Sequence, residues 1–215
     1  MAVIALIQQK GGVGKSTLAA NLAGELLQQG RTVKVLDLDP QESLATWARL
    51  GQGLLRDRVE HVSTARPREF KAAVERACRL AERVLLDCPP GLPDTGLMAA
   101  LVADVALLPV TPSPLDVIAS KQALELLREA QAQRRDHKPL LALVPSRVAR
   151  HTVLGRDLRH SLTPLGVRIL PGVSQRIAIA EAVLHGLTLR EYAPASAGVE
   201  EFQQLASAME RMVKG

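Results

Sequence analysis

Aromatic side chains are scarce in this sequence: Trp47, Phe70, Tyr192 and Phe202 are its only four among 215 residues. With hydrophobic residues at 47%, the core has to be aliphatic, and recognition of single-stranded nucleic acid by base stacking is disfavoured. Cysteine is as scarce. Cys78 and Cys88 are too few for a disulfide framework, and their spacing matches no metal site. The five histidines are scattered, with no close pair suited to zinc. No apolar run approaches the ~20 residues that span a bilayer. The first residues lack the basic segment and small-residue cleavage site of a secretory leader. These absences lead to the expectation of a cytoplasmic chain.

What is present is basic and aliphatic. The formal net charge is +5 and the sequence pI is near 9.6, a balance that suits a polyanionic partner. The length fits one domain spanning residues 1–215. Short aliphatic runs at residues 3–7, 32–36, 83–86, 104–108, 140–144 and 167–170, with a weaker one at 59–63, predict strands. They lack polar alternation, as strands do when helices cover both faces of a sheet. Amphipathic stretches at residues 15–29, from 67, 113–133, 153–161, 174–185 and 199–213 predict helices between them. The pattern is that of an α/β fold: one doubly wound, mostly parallel sheet.

The strongest local signal is Lys10, Gly11, Gly12, Val13, Gly14, Lys15, Ser16 and Thr17, set between a predicted strand and a predicted helix. There the backbone N–H groups and the helix N-terminus surround nucleotide phosphates. Lys15 is expected to reach the β- and γ-phosphates, the Ser16 hydroxyl to bind Mg²⁺ and Thr17 to touch the α-phosphate. The general phosphate-loop pattern asks for glycine where Gln9 stands. The segment resembles instead the deviant form KGGxGK[ST] of the superfamily that holds ParA, MinD and the nitrogenase iron protein. That resemblance implies an ATPase using ATP and Mg²⁺, with Lys10 crossing an ATP-dependent homodimer to the partner's nucleotide.

Two aspartates close the second predicted strand, Asp37 and Asp39, followed by Pro40 and Gln41. Taken alone they read as strand-end carboxylates that cap the next helix. Downstream of a phosphate loop, at the carboxyl end of a strand, they point to its ligand. The family resemblance gives Asp39 the attacking water, and gives Asp37 a part in holding the loop and metal. A third apolar strand ends in Asp87, expected to contact Mg²⁺ through water. Cys88, Pro89, Pro90 and Gly91 follow it and resemble the family's Asp-Thr-Pro-Pro segment, with cysteine in threonine's place. Cys88 is expected to be a buried free thiol.

The run from Leu108 to Asp116 reads by itself as a rigid loop with Ser113 or Asp116 near a helix N-terminus. It resembles the PVxPSPLD segment of small, ParF-like ParA partition ATPases. With the motifs at residues 10–17, 35–41 and 84–91, this resemblance covers nearly the whole chain. It implies adenine contacts from residues 145–147 and 171–175, with Arg147 and Pro171 as the candidates.

From Arg147 to Arg176, six arginines (Arg147, Arg150, Arg156, Arg159, Arg168 and Arg176) face one acid, Asp157. Arginine suits phosphate through its planar fork. Arg147, Arg150, Arg156, Arg159 and Arg176 are the candidate contacts to non-specific double-stranded DNA, against the plain alternative of a solvated basic surface. The resemblance further implies a nucleoid-associated protein that positions plasmid, chromosome or other cargo, with hydrolysis stimulated by a ParB-like adaptor. A MinD-like membrane positioner and a metabolic ATP-dependent ligase are the alternatives. The last predicted helix argues against a membrane, because its bulky apolar residues suit packing on its own domain.

Overall fold

Aliphatic runs without polar alternation become strands buried on both faces. The computed structural model describes residues 1–91 and 93–214. The order is β1 (Ala2–Leu6), α1 (Lys15–Gln28), β2 (Val33–Asp37), α2 (Ser43–Leu50), β3 (Val59–His61), α3 (Pro67–Leu80), β4 (Arg83–Asp87) and α4 (Pro93–Val102). Then follow β5 (Val105–Val110), α5 (Pro114–Gln133), β6 (Leu140–Pro145), α6 (Val153–Leu162), β7 (Arg168–Ile169), α7 (Ile177–Leu184), α8 (Leu189–Tyr192) and α9 (Ala197–Lys214).

The strands form one seven-stranded sheet in the order β3-β2-β4-β1-β5-β6-β7, parallel at every pairing. The period-2 rule decides the two cores. In β1, Ala2, Ile4 and Leu6 enter one apolar cluster, and Val3 and Ala5 enter the other. The first core receives Leu18, Leu22 and Leu26 of α1, Trp47 of α2, and Phe202, Leu205 and Met209 of α9. The second is filled from α3, α4, α5 and α6. All β-to-helix turns therefore emerge at one end of the sheet, the end at which ligands bind open α/β sheets.

The six predicted strands and the weaker seventh all form, each within two residues of its expected limits. The last helix packs its apolar side inward as expected, with Phe202, Leu205, Met209 and Met212 buried. No helix among the described residues is long and apolar enough to cross a membrane.

One helical limit needs correction, and α2, α4 and the four-residue α8 are absent from the sequence reading. The helix expected over residues 174–185 starts only at Ile177. Residues 173–175 are extended because they pair with the loop after β6: Val148 N donates to Val173 O at 3.0 Å, and Gln175 N to Val148 O at 3.2 Å. Helix α2 is absent from the sequence reading because it has eight residues and no local side-chain cap. Helix α4 is absent because its sequence has no polar face to reveal a period.

Candidate nucleotide and metal site

Strand β1 delivers the chain directly into the phosphate loop. Gly12 and Gly14 take positive φ values of 74° and 95°, which glycine accepts without the penalty a Cβ brings. A Cβ on Gly14 would lie 2.9 Å from Ser146 Oγ, so space as well as dihedral requires glycine. The loop ends at the N-terminus of α1, whose free N–H groups favour an anion. Lys15 is buried there, and its ammonium donates to the carbonyls of Gln8 at 3.0 Å and Lys10 at 3.2 Å. Burial lowers its pKa, partly opposed by the nearby carboxylate of Asp87.

A cavity of ≈ 650 Å³ opens over this loop. Gly11, Gly12, Gly14, Lys15, Ser16 and Thr17 line one end, with Asp39, Cys88 and Pro90 beside them. The rest of the lining comes from Ser146 and Arg147, which abut the phosphate loop, from residues 173–177, and from the apolar side chains of Ile179, Val183 and Phe202. The lining thus combines the N–H groups and cation of the phosphate loop with the apolar side chains of Ile179, Val183 and Phe202. That polarity matches a nucleotide, with phosphates on the loop and the base against the wall.

Val13 is buried beneath the loop and supplies backbone rather than cavity wall. Arg147 also contacts the loop: its Nη1 donates to Gly12 O at 2.7 Å. Pro171 does not line the cavity, and the neighbouring residues 173–177 take the place expected of it.

The three carboxylates have separate environments. Asp37 is fully buried, and its oxygens accept N–H groups from Asp39 at 3.1 Å, Leu44 at 3.0 Å and Ala45 at 2.9 Å. The expectation that Asp37 holds metal is corrected to this extent: its carboxylate caps α2 and fixes the turn carrying Asp39. The plain capping alternative describes Asp37 well. Asp39 is half-buried and lines the cavity.

Asp87 is the unpaired one. Among the described residues neither of its oxygens has a well-formed hydrogen bond. Burial raises its pKa to about 7, against the pull of the nearby Ser16 hydroxyl and helped by the charge of Asp37. A buried carboxylate without a partner is costly. Next to the Ser16 hydroxyl, it offers the hard oxygen donors that a hydrated divalent cation takes. The chemistry of these donors fits Mg²⁺, which Ser16 and Asp87 would hold. Cys88 next to it is buried and unpaired, and burial pushes its thiol up, so it stays neutral.

Lys10 is not in the cavity. Its ammonium forms an ion pair with Asp116 Oδ1, whose other oxygen accepts the Thr111 hydroxyl. Asp116 is buried and Lys10 partly exposed. The run from Leu108 to Asp116, whose residues read by themselves as a rigid loop, carries the counter-ion of the loop's first lysine.

The arginines do not form one free patch. Arg156 and Arg159 point outward from α6 and are exposed. Arg150 and Arg176 both bond to Glu201 of α9, each at 2.9 Å. Arg176 also lines the cavity. Counting acids only between residues 147 and 176 missed Glu201, which arrives from α9. Phe202 was missed for the same reason.

A strand-loop-helix phosphate site at the carboxyl end of a parallel sheet defines a P-loop nucleotide-binding protein. The chain belongs to the CobQ/CobB/MinD/ParA nucleotide binding domain family, which it matches over residues 4–189, and it is an ATPase that uses ATP and Mg²⁺. It is 32% identical over 232 residues to the chromosome-partitioning ATPase Soj of Thermus thermophilus, covering 94% of this chain and 93% of that protein. It is 30% identical over 200 residues to the maintenance of carboxysome distribution protein A of Halothiobacillus neapolitanus, covering 86% and 85%. In fold it resembles the septum site-determining protein MinD of Pyrococcus horikoshii, solved with Mg-ADP, at a TM-score of 0.80 and 21% identity. That likeness covers 99% of this chain and 97% of the other.

Proposed function

We propose that the chain is an ATP-driven positioning switch: two subunits join on Mg-ATP, the pair holds non-specific duplex DNA, and an adaptor protein bound to a cargo stimulates hydrolysis and release. The observation that carries this reading is the position of Lys10. It stands at the mouth of the phosphate loop, outside its own cavity, on a side chain 41% exposed. Gly11 and Gly12 beside it are exposed, so the phosphate end lies at the surface, where a second subunit can close it. Two relatives named for partitioning a chromosome and distributing carboxysomes support a large assembly as the cargo.

In this reading the backbone N–H groups of residues 11–17 and the Lys15 ammonium hold the triphosphate. Mg²⁺ held by Ser16 and Asp87 would neutralise phosphate charge. Asp39 orients the attacking water from the cavity edge, and Asp37 keeps Asp39 in place through its N–H. Arg147 and the wall at residues 173–177 hold the base. Lys10 exchanges Asp116 for the partner's phosphates. Arg156 and Arg159 supply the DNA contacts this chain leaves free, with Arg150 contributing what Glu201 does not bind.

The test is binding of a non-specific duplex with ATP, with ADP and without nucleotide, across a salt series. ATP-dependent binding that weakens steeply with salt is expected. Binding in no state, or equally in all three, overturns the DNA switch.

A further inference from the structure

Glu201 lies on α9, at least 25 residues along the chain from every group that bonds to its carboxylate, and its side chain is 9% exposed. Its Oε2 accepts the backbone N–H of Ser174 at 2.9 Å. Its Oε1 accepts the Ser174 hydroxyl at 2.8 Å, Arg150 Nη2 at 2.9 Å and Arg176 Nη2 at 2.9 Å. Arg150 Nε closes the cluster by donating to Ser174 Oγ at 3.0 Å. One buried carboxylate therefore collects four donors, and all but Arg150 belong to residues on the cavity wall.

That wall is otherwise weakly held. Residues 173–175 have neither helix nor long ladder to fix them, only a short pairing to Val148 and one bond from Val173 N to Pro145 O at 2.8 Å. Val173, Gln175 and Ile177 line the cavity without belonging to the phosphate loop, which leaves them for the base once phosphates occupy the loop. Phe202, next to Glu201 in sequence, enters the same wall from α9. A charged acceptor bonded to a backbone N–H and several side-chain donors is a strong restraint, and removing its charge leaves buried donors poorly satisfied.

We infer that Glu201 is a positioning residue for the nucleotide: it ties residues 174–176 to α9 and so preforms the base-binding wall, without touching the phosphates. The inference rests on the nucleotide site described above. Preforming a wall lowers the ordering cost of binding, and the gain falls on the base and ribose end alone. Glu201→Gln weakens binding of ATP and leaves binding of inorganic triphosphate unchanged, because the bonds of Glu201 go to Arg150, Ser174 and Arg176 and none reaches the phosphate loop.

The experiment measures dissociation constants of ATP and of inorganic triphosphate, with Mg²⁺, for the full chain and Glu201→Gln by calorimetry. A roughly tenfold loss for ATP is expected, the size of one charge-assisted hydrogen-bond set, with triphosphate within about twofold. In steady state, KM for ATP rises and kcat holds. Should Glu201→Gln not fold, Arg150→Met tests the same cluster from a residue outside the cavity wall. It is expected to cost ATP a few-fold and triphosphate nothing. Unchanged ATP affinity overturns the inference. So does an equal loss for ATP and triphosphate in a folded variant, which marks general damage in place of a positioned wall.

Discussion

At Lys15 the chain holds a buried ammonium against two backbone carbonyls, a poor substitute for water or an anion. Triphosphate oxygens supply what those carbonyls lack. Replacing Lys15 by Ala is expected to weaken ATP on the order of 100-fold, the top of the range for a charged hydrogen-bonding group. Calorimetric titration checks this, and tight binding by the variant removes Lys15 from the site. Asp116 makes a second residue-scale case. Its ion pair with Lys10 must break before that lysine can serve another subunit. Asp116→Asn lowers that barrier, so the variant is expected to dimerise at lower ATP concentration, read by sedimentation. A dimer that forms less readily, or at the same ATP concentration, takes Lys10 out of the proposed interface.

Among the elements, α9 ties the molecule together at both ends. Near its C-terminus Glu210 bonds the Arg83 guanidinium at the start of β4, through Nε at 2.5 Å and Nη2 at 2.8 Å, and both side chains are buried. Arg83 holds the Glu210 carboxyl below its ordinary pKa of 4.5. A carboxyl with a depressed folded pKa stabilises the fold above its unfolded value and loses that contribution as pH falls through the folded one. Glu210→Gln is therefore expected to cost about 3 kcal/mol at neutral pH, in the range for breaking a buried pair. The gap between the two proteins narrows as pH drops below 4.5. Urea unfolding at neutral and acid pH reads both effects, and a gap that widens in acid refutes the pair as the cause.

For the molecule as a whole, charge has to be counted after folding. The local excess of arginine over residues 147–176 is reduced by Glu201, leaving Arg156 and Arg159 as the exposed pair on α6. Each phosphate neutralised by a side chain adds about 0.9 to the steepness with which log affinity falls against log salt. If Arg156 holds one phosphate, Arg156→Ala is expected to flatten that slope by about one, uniformly across DNA sequences. A fluorescence-anisotropy salt series measures it. An unchanged slope moves the DNA face away from Arg156.

The sequence by itself determined the sheet, the phosphate loop and the three carboxylates at strand ends. Each depends on short-range rules: unbroken aliphatic runs, glycines where a backbone must pass close to phosphate, and acids where parallel strands stop. Even the family was legible in Lys10 and Lys15 with the glycines between them. Tertiary structure decided which carboxylate is free. Asp37 and Asp87 look alike as strand-final acids, yet Asp37 meets the N–H groups of Leu44 and Ala45 while Asp87 meets none among the described residues. It also decided that Lys10 rests on Asp116, 106 residues away, that Phe202 lines the cavity, and that Glu201 bonds Ser174 and Arg176 of its wall. No local pattern encodes such partners, because the sheet order that joins them is set by packing two apolar faces, whereas the neighbours of each residue in sequence set only its strand or helix.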